Sequence, residues 1–130
     1  MTGILLRVFN RIEDLTICIE IIKKYWVSGT YYLVVVGNGK SDGFSIPEAV
    51  KARVDNVVEL DQNAGHPRGN AQLVLAGIPY IPSACRYTVL LEADTWVFTD
   101  TLVQKYIQRL DSRASVWASS EWVEKYWSLG

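Results

Sequence analysis

Tyr87-Thr88-Val89-Leu90-Leu91-Glu92-Ala93-Asp94-Thr95-Trp96 is the stretch that decides how the chain folds. A continuous apolar run marks a strand buried in a parallel sheet, and this one ends in two carboxylates separated by one small residue, where the chain leaves the sheet. Carboxylate oxygens are hard ligands that suit magnesium or manganese. Such ions typically bind one or two protein carboxylates together with the phosphates of a substrate. The stretch therefore points to diphosphate chemistry. Taken alone, Glu-x-Asp at a strand end is more often a solvated turn or a helix cap, so the rest of the chain has to decide.

Working outward from this strand, strand-like and helix-like segments alternate without an obvious linker. Residues 4–9 form the first expected strand, followed by Asn10 and Arg11 and a helix over residues 13–25, in which Leu15, Cys18, Ile19 and Ile22 recur at helical spacing. Residues 31–36 are β-branched and aromatic, a second buried strand closed by the glycine-rich loop 37–43. A short helix from Pro47 leads to a third strand at 56–60, a polar loop at 61–69 and a helix at 70–76. The strand at 87–91 is the fourth. Thr99 or Asp100 is expected to cap a helix running to about residue 110. A last strand at 114–118 precedes an aromatic tail with Trp122, Tyr126 and Trp127. Alternation of this kind implies right-handed crossovers and an α/β fold, a three-layer α/β/α sandwich around a mostly parallel sheet. Ligands of open parallel sheets bind beyond the carboxyl ends of the strands, which is where the four polar loops fall.

Composition narrows the setting. The chain has 130 residues, fitting one domain with a real core and little room for a second. Apolar residues make up 49% and the net charge is −1, which argues against a nucleic-acid-binding surface. No segment approaches the roughly 18 apolar residues needed to span a bilayer, and the start of the chain does not resemble a signal peptide, so a soluble cytoplasmic protein is expected. Cys18 and Cys85 lie in apolar contexts and are expected to be buried free thiols. With His66 the sole histidine, a zinc site is not expected.

The four loops together resemble the nucleotide-sugar-binding half of glycosyltransferases of the GT-A fold, nearest to the inverting family-2 type that includes rhamnosyltransferases. The matching elements are Phe9-Asn10-Arg11, then Val36-Gly37-Asn38-Gly39-Lys40-Ser41-Asp42-Gly43, then Asn63-Ala64-Gly65-His66-Pro67-Arg68-Gly69-Asn70, and then Leu91-Glu92-Ala93-Asp94-Thr95. Order and spacing agree from Leu5 to about Ser119. The resemblance implies a single nucleotide-sugar-binding domain over residues 1–130 with the acceptor-binding half short or absent. It also implies a manganese or magnesium ion held by Asp94 with Glu92, and a nucleotide-diphosphate sugar as the partner molecule. The backbone just before Asn10, together with Asn38 and Asp42, would lie near the base and ribose, with Asn10 and Arg11 counted among the donor-binding residues. Asn63, Gly65 and Gly69 would pass over the base and diphosphate, with Arg68 placed to pair with a phosphate.

Plainer roles stand beside these. The 37–43 loop also reads as a flexible turn, and Gly37 departs from the family, which carries there an acidic residue that contacts the base. Asn70 reads as a helix cap, Arg68 as solvated, Asp42 as a turn cap and Asp100 as a helix cap.

Inverting transferases need a general base for the acceptor hydroxyl, and in this family it follows the metal motif. Glu121, beside Trp117 and Trp122, is the candidate; the competing reading puts Glu121 and Glu124 on the solvent side of an amphipathic terminal helix. The tryptophan-rich tail also suggests a homo-oligomer. Two functions follow: a metal-dependent glycosyltransferase acting with inversion on an unidentified acceptor, or a noncatalytic nucleotide-sugar-binding module. A nucleotidyltransferase fits less well, because Asn10-Arg11-Ile12-Glu13 is not the glycine-rich basic loop such enzymes carry after the first strand.

Overall fold

The computed structural model describes residues 1–112 and 116–118. Four parallel strands, β1 (Thr2–Val8), β2 (Tyr31–Gly37), β3 (Asn56–Glu59) and β4 (Thr88–Glu92), form one sheet in the order β3-β2-β1-β4. Between and after them lie α1 (Ile12–Tyr25), α2 (Glu48–Lys51), α3 (Arg68–Gly77) and α4 (Thr101–Ser112). The chain steps outward from β1 to β2 to β3 and then crosses back to place β4 on the other side of β1. That reversal is a topological switch point, and it opens a crevice between the carboxyl ends of β1 and β4. The register keeps those ends level: Val8 faces Gly37, Gly37 faces Glu59, and Arg7 faces both Val36 and Glu92.

The reversal also sets the layers. If every crossover is right-handed, the two outward steps put their helices on one face of the sheet and the return step puts α3 on the other. The cores agree. On one face Ile4, Leu6 and Val8 of β1 and Leu33 and Val35 of β2 pack with Leu15, Cys18, Ile19 and Ile22 of α1 and Val50 of α2, with Val103 of α4 alongside. On the other face Leu5, Val34 and Val36 pack with Leu73 of α3. The four apolar positions that suggested α1 are all buried. Its ends suit the helix dipole, with Glu13 and Asp14 in the first turn and Lys23 and Lys24 in the last.

Asp100 precedes α4 where a cap was expected, but its carboxylate turns into the core. It is 1% exposed and accepts from the Ser28 amide at 2.8 Å and the Tyr31 hydroxyl at 2.6 Å. The helix start takes a hydroxyl instead: Thr99 Oγ1 accepts from the Thr101 amide. Cys18 is buried as expected, whereas Cys85 is only half-buried; both are free thiols. The strand expected at 114–118 is not formed over residues 116–118, and residues 114 and 115 lie outside the described residues. So do Glu121, Trp122, Glu124, Tyr126 and Trp127. Among the described residues no helix is long and apolar enough to cross a membrane.

Candidate functional site

A cleft of about 370 Å³ lies at the switch point. The end of β1 and the turn after it contribute Arg7, Phe9, Asn10 and Arg11; the residue after β2 contributes Asn38. The β3–α3 loop and the first turn of α3 contribute Asn63, Gly65, His66, Gly69 and Asn70, and the end of β4 contributes Glu92, Ala93 and Asp94. Of the residues singled out from sequence, Asn10, Arg11, Asn38, Asn63, Gly65, Gly69, Glu92 and Asp94 come together here. Asp42 and Arg68 do not line the cleft: both are exposed, Asp42 in a single 3-10 turn and Arg68 at the first position of α3. Glu121 lies outside the described residues.

Two glycines let the walls close. A Cβ on Gly69 would collide with Asn63 Oδ1, and a Cβ on Gly39 would collide with the Phe9 carbonyl, so any side chain at either place would push the loops apart. The β3–α3 loop is held by side chains. Asn63 Oδ1 accepts from the Gly65 amide at 2.8 Å, and Gln72 Oε1 accepts from the Ala64 amide at 3.3 Å. Phe9 and Phe44 meet edge to face at 5.7 Å near the mouth of the cleft.

Asn38 is 1% exposed, and its amide nitrogen donates to the Gly69 carbonyl at 3.3 Å and to Gln72 Oε1 at 3.4 Å. Its Oδ1 accepts nothing. Those two acceptors fix the orientation of the amide, because a flipped side chain would set oxygen against oxygen. A buried acceptor without a donor is uncommon in folded proteins and asks for a partner that the protein itself does not supply.

The β4 end is anchored on both sides. The Ala93 amide donates to the Arg7 carbonyl at 3.0 Å and the Thr95 amide to the Glu92 carbonyl at 2.9 Å. Trp96 Nε1 donates to the carbonyls of Ala93 at 3.2 Å and Asp14 at 3.3 Å, pinning the turn to α1. Beneath it, burial pushes the Cys18 thiol up to about 11, with the Asp94 charge adding to the effect. Cys18 therefore stays protonated at neutral pH, and its Sγ donates to the Thr95 carbonyl at 3.5 Å.

Three contributors were not assigned to the site from the sequence. Asn70, read there as a cap, sits in the first turn of α3 with Oδ1 accepting from Arg7 Nη1. Gln72 ties Asn38 to the β3–α3 loop. Arg7 did leave a signal, as the lone charge inside an otherwise apolar strand. Two positions beyond Leu5, it lies on the α3 face of the sheet.

Glu92 and Asp94 both line the cleft and carry the hard oxygen donors that a divalent cation takes. Among the described residues no group of three or more His, Cys, Asp or Glu side chains gathers to hold a metal without help. Magnesium and manganese do not require one, because substrate phosphates complete their shell. The donor set thus suits a cation that arrives with, or is completed by, a phosphate ligand.

No family model matches the chain, and no curated protein does. Among solved structures, that of S. aureus TarS, a glycosyltransferase, matches with a TM-score of 0.59 at 16% sequence identity, over 84% of this chain and 20% of that one. The chain spans about a fifth of the length of the structure it matches. At that identity the likeness is one of fold alone: this is an α/β sandwich, with a parallel sheet between helices.

Proposed function

We propose that the chain binds a nucleotide-diphosphate sugar in the switch-point cleft and serves glycosyl transfer, with manganese or magnesium and with inversion at the sugar carbon. The observation that carries this proposal is the pairing, in one cleft, of a buried acceptor lacking a donor, Asn38 Oδ1, with two carboxylates at the end of β4. A nucleobase N–H would reach the first once the walls around Asn38 move to expose its oxygen, and a diphosphate with its cation suits the second. Asp94 with Glu92 would hold the ion, which when bound supplies positive charge to the departing nucleoside diphosphate. The chain's own residues orient the donor: Asn38 at the base, and the loop from Asn63 to Gly69 over the diphosphate. Transfer then consists of attack by an acceptor hydroxyl on the sugar carbon, cleavage of the carbon–oxygen bond to the diphosphate, and passage of the hydroxyl proton to a carboxylate base.

A second function, nucleotide-sugar binding without turnover, is favoured by one observation. Among the described residues the only carboxylates lining the cleft are Glu92 and Asp94, so no third one stands there to take the acceptor proton.

Calorimetry with UDP, GDP and dTDP sugars, with and without manganese, separates these cases. The native chain is expected to bind one of them in a manganese-dependent way, and Asp94→Ala to weaken that binding by at least about tenfold. Absence of metal-dependent binding would overturn the transferase proposal. Binding without hydrolysis or transfer of the donor would favour the module.

A further inference from the structure

Arg7 is a charged side chain only 14% exposed, on a strand whose other residues are nearly all buried and apolar. A guanidinium in such a place needs partners for its five N–H groups, or the desolvation is uncompensated. Two are engaged. Nε donates to the Leu91 carbonyl at 3.4 Å, and Nη1 donates to Asn70 Oδ1. These bonds come from β4 and α3 and fix the guanidinium plane from both sides. The remaining three, one on Nη1 and two on Nη2, have no hydrogen-bond partner among the described residues. Glu92 Oε1 approaches Nη2 only to 3.8 Å, beyond hydrogen-bond reach, and its side chain is 55% exposed, free to swing away.

Arg7 also lines the cleft, between the β4 carboxylates and the first turn of α3. A rigidly held, partly desolvated guanidinium with donors to spare matches the paired oxygens of a phosphate better than any flexible surface lysine would. We propose that Arg7 binds the diphosphate of the donor, and that Glu92 is the partner it gives up when the anion arrives. This inference rests on the nucleotide-sugar proposal for the identity of the anion, but it concerns a residue which that proposal did not use. It makes the cleft's affinity for diphosphate partly independent of a metal ion. It also gives Glu92 two opposed effects: competing with the anion for Arg7 when metal is absent, and helping to recruit it when metal is present.

The test is calorimetry of inorganic pyrophosphate in EDTA with the full chain and with Arg7→Gln, Arg7→Lys and Glu92→Gln, each checked for folding by thermal melting. The native chain is expected to bind, and Arg7→Gln to lose at least about tenfold. Arg7→Lys, which keeps the charge without the fork, should fall between them. Glu92→Gln, which removes the competing carboxylate, should bind several-fold tighter than native. Failure of the native chain to bind pyrophosphate, native-like affinity in Arg7→Gln, or weaker metal-free binding in Glu92→Gln would each overturn the proposal. If Arg7→Gln does not fold, Arg7→Lys and Glu92→Gln decide it, since both keep a polar group of similar size in place. Pyrophosphate carries neither base nor sugar, so the two proposals can fail separately. Nucleotide sugars that bind Arg7→Gln as well as native would remove the role of Arg7 and leave the donor site standing. Pyrophosphate bound through Arg7, with no gain from any nucleotide sugar, would do the reverse.

Discussion

Asn38 and Asp100 are buried to the same degree, each 1% exposed, at opposite ends of β2. Asp100 has its partners: the Ser28 amide and the Tyr31 hydroxyl donate to it, and Gln104 donates in turn to Tyr31 at 2.8 Å. Asn38 donates twice and leaves its oxygen without a donor. One end of the strand spends its buried polarity on holding α4 and the α1–β2 turn to the sheet. The other end leaves a buried oxygen without a donor, on a residue that lines the cleft. The difference teaches that two polar residues can be equally buried and yet differ in whether the protein itself satisfies them, which only the state of their hydrogen bonds reveals.

If that division is right, breaking the two ends has different consequences. Asp100→Ala removes the charged acceptor of the Ser28 amide and the Tyr31 hydroxyl at once, a loss of about 3 kcal/mol. For a chain of this size that corresponds to a fall of roughly 10–20 °C in melting temperature. Affinity for nucleotides in the folded fraction should be unchanged. A melting temperature within a degree of native would show that the Asp100 network holds nothing together.

A smaller effect should appear in the pH dependence. Burial pushes the Tyr31 hydroxyl up to about 12, aided by its bond to the Asp100 carboxylate and opposed by the one from Gln104. Its contribution to stability is therefore fully present below the unfolded value near 10 and is lost as pH rises through the folded one. Asp100 runs the other way. Burial alone would raise its carboxyl, but the Tyr31 and Ser28 donors outweigh this and hold it below the ordinary 3.8, so its contribution is present above that value and lost in stronger acid. Tyr31→Phe keeps the edge-to-face contact with Trp26 while removing the hydroxyl. It should cost about 1 kcal/mol at neutral pH and flatten the alkaline loss between pH 10 and 12, as followed by denaturant melts across pH. An alkaline limb as steep as native would locate the titrating group elsewhere.

The two ends of β2 also differ in how far they were legible in the sequence. Local patterns placed β1 to β4 and α1 to α4 to within about two residues, because burial repeats at the period of each element, but they also suggested a strand at 114–118 that is not formed over residues 116–118. Thr2 and Gly3 were missed from β1 because glycine disfavours a strand and cuts Thr2 off from the apolar run; they join by pairing with Tyr31, Tyr32 and Thr88. The loops lining the cleft were legible because glycine, asparagine and paired carboxylates at strand ends are local signals. Partnerships across the chain were not. Asp100 bonds to residues 72 and 69 positions away, and Arg7 to one 63 away. No periodicity within a strand or helix encodes such distances. Asp100 was therefore taken for a cap, Asn70 for another, and Arg7 passed over.

The measurement that bears most directly on the switch-point cleft as a nucleotide-sugar site is the affinity of Asn38→Ala for UDP, GDP and dTDP with manganese, set beside its melting temperature. Removing the amide leaves the neighbouring Gly69 carbonyl and Gln72 without one donor, so the expected stability loss is only about 1 kcal/mol, while nucleotide affinity falls by about three- to tenfold. A chain that binds none of the three nucleotides, or an Asn38→Ala variant that binds them as tightly as native, would contradict the assignment of the Asn38 acceptor to a ligand.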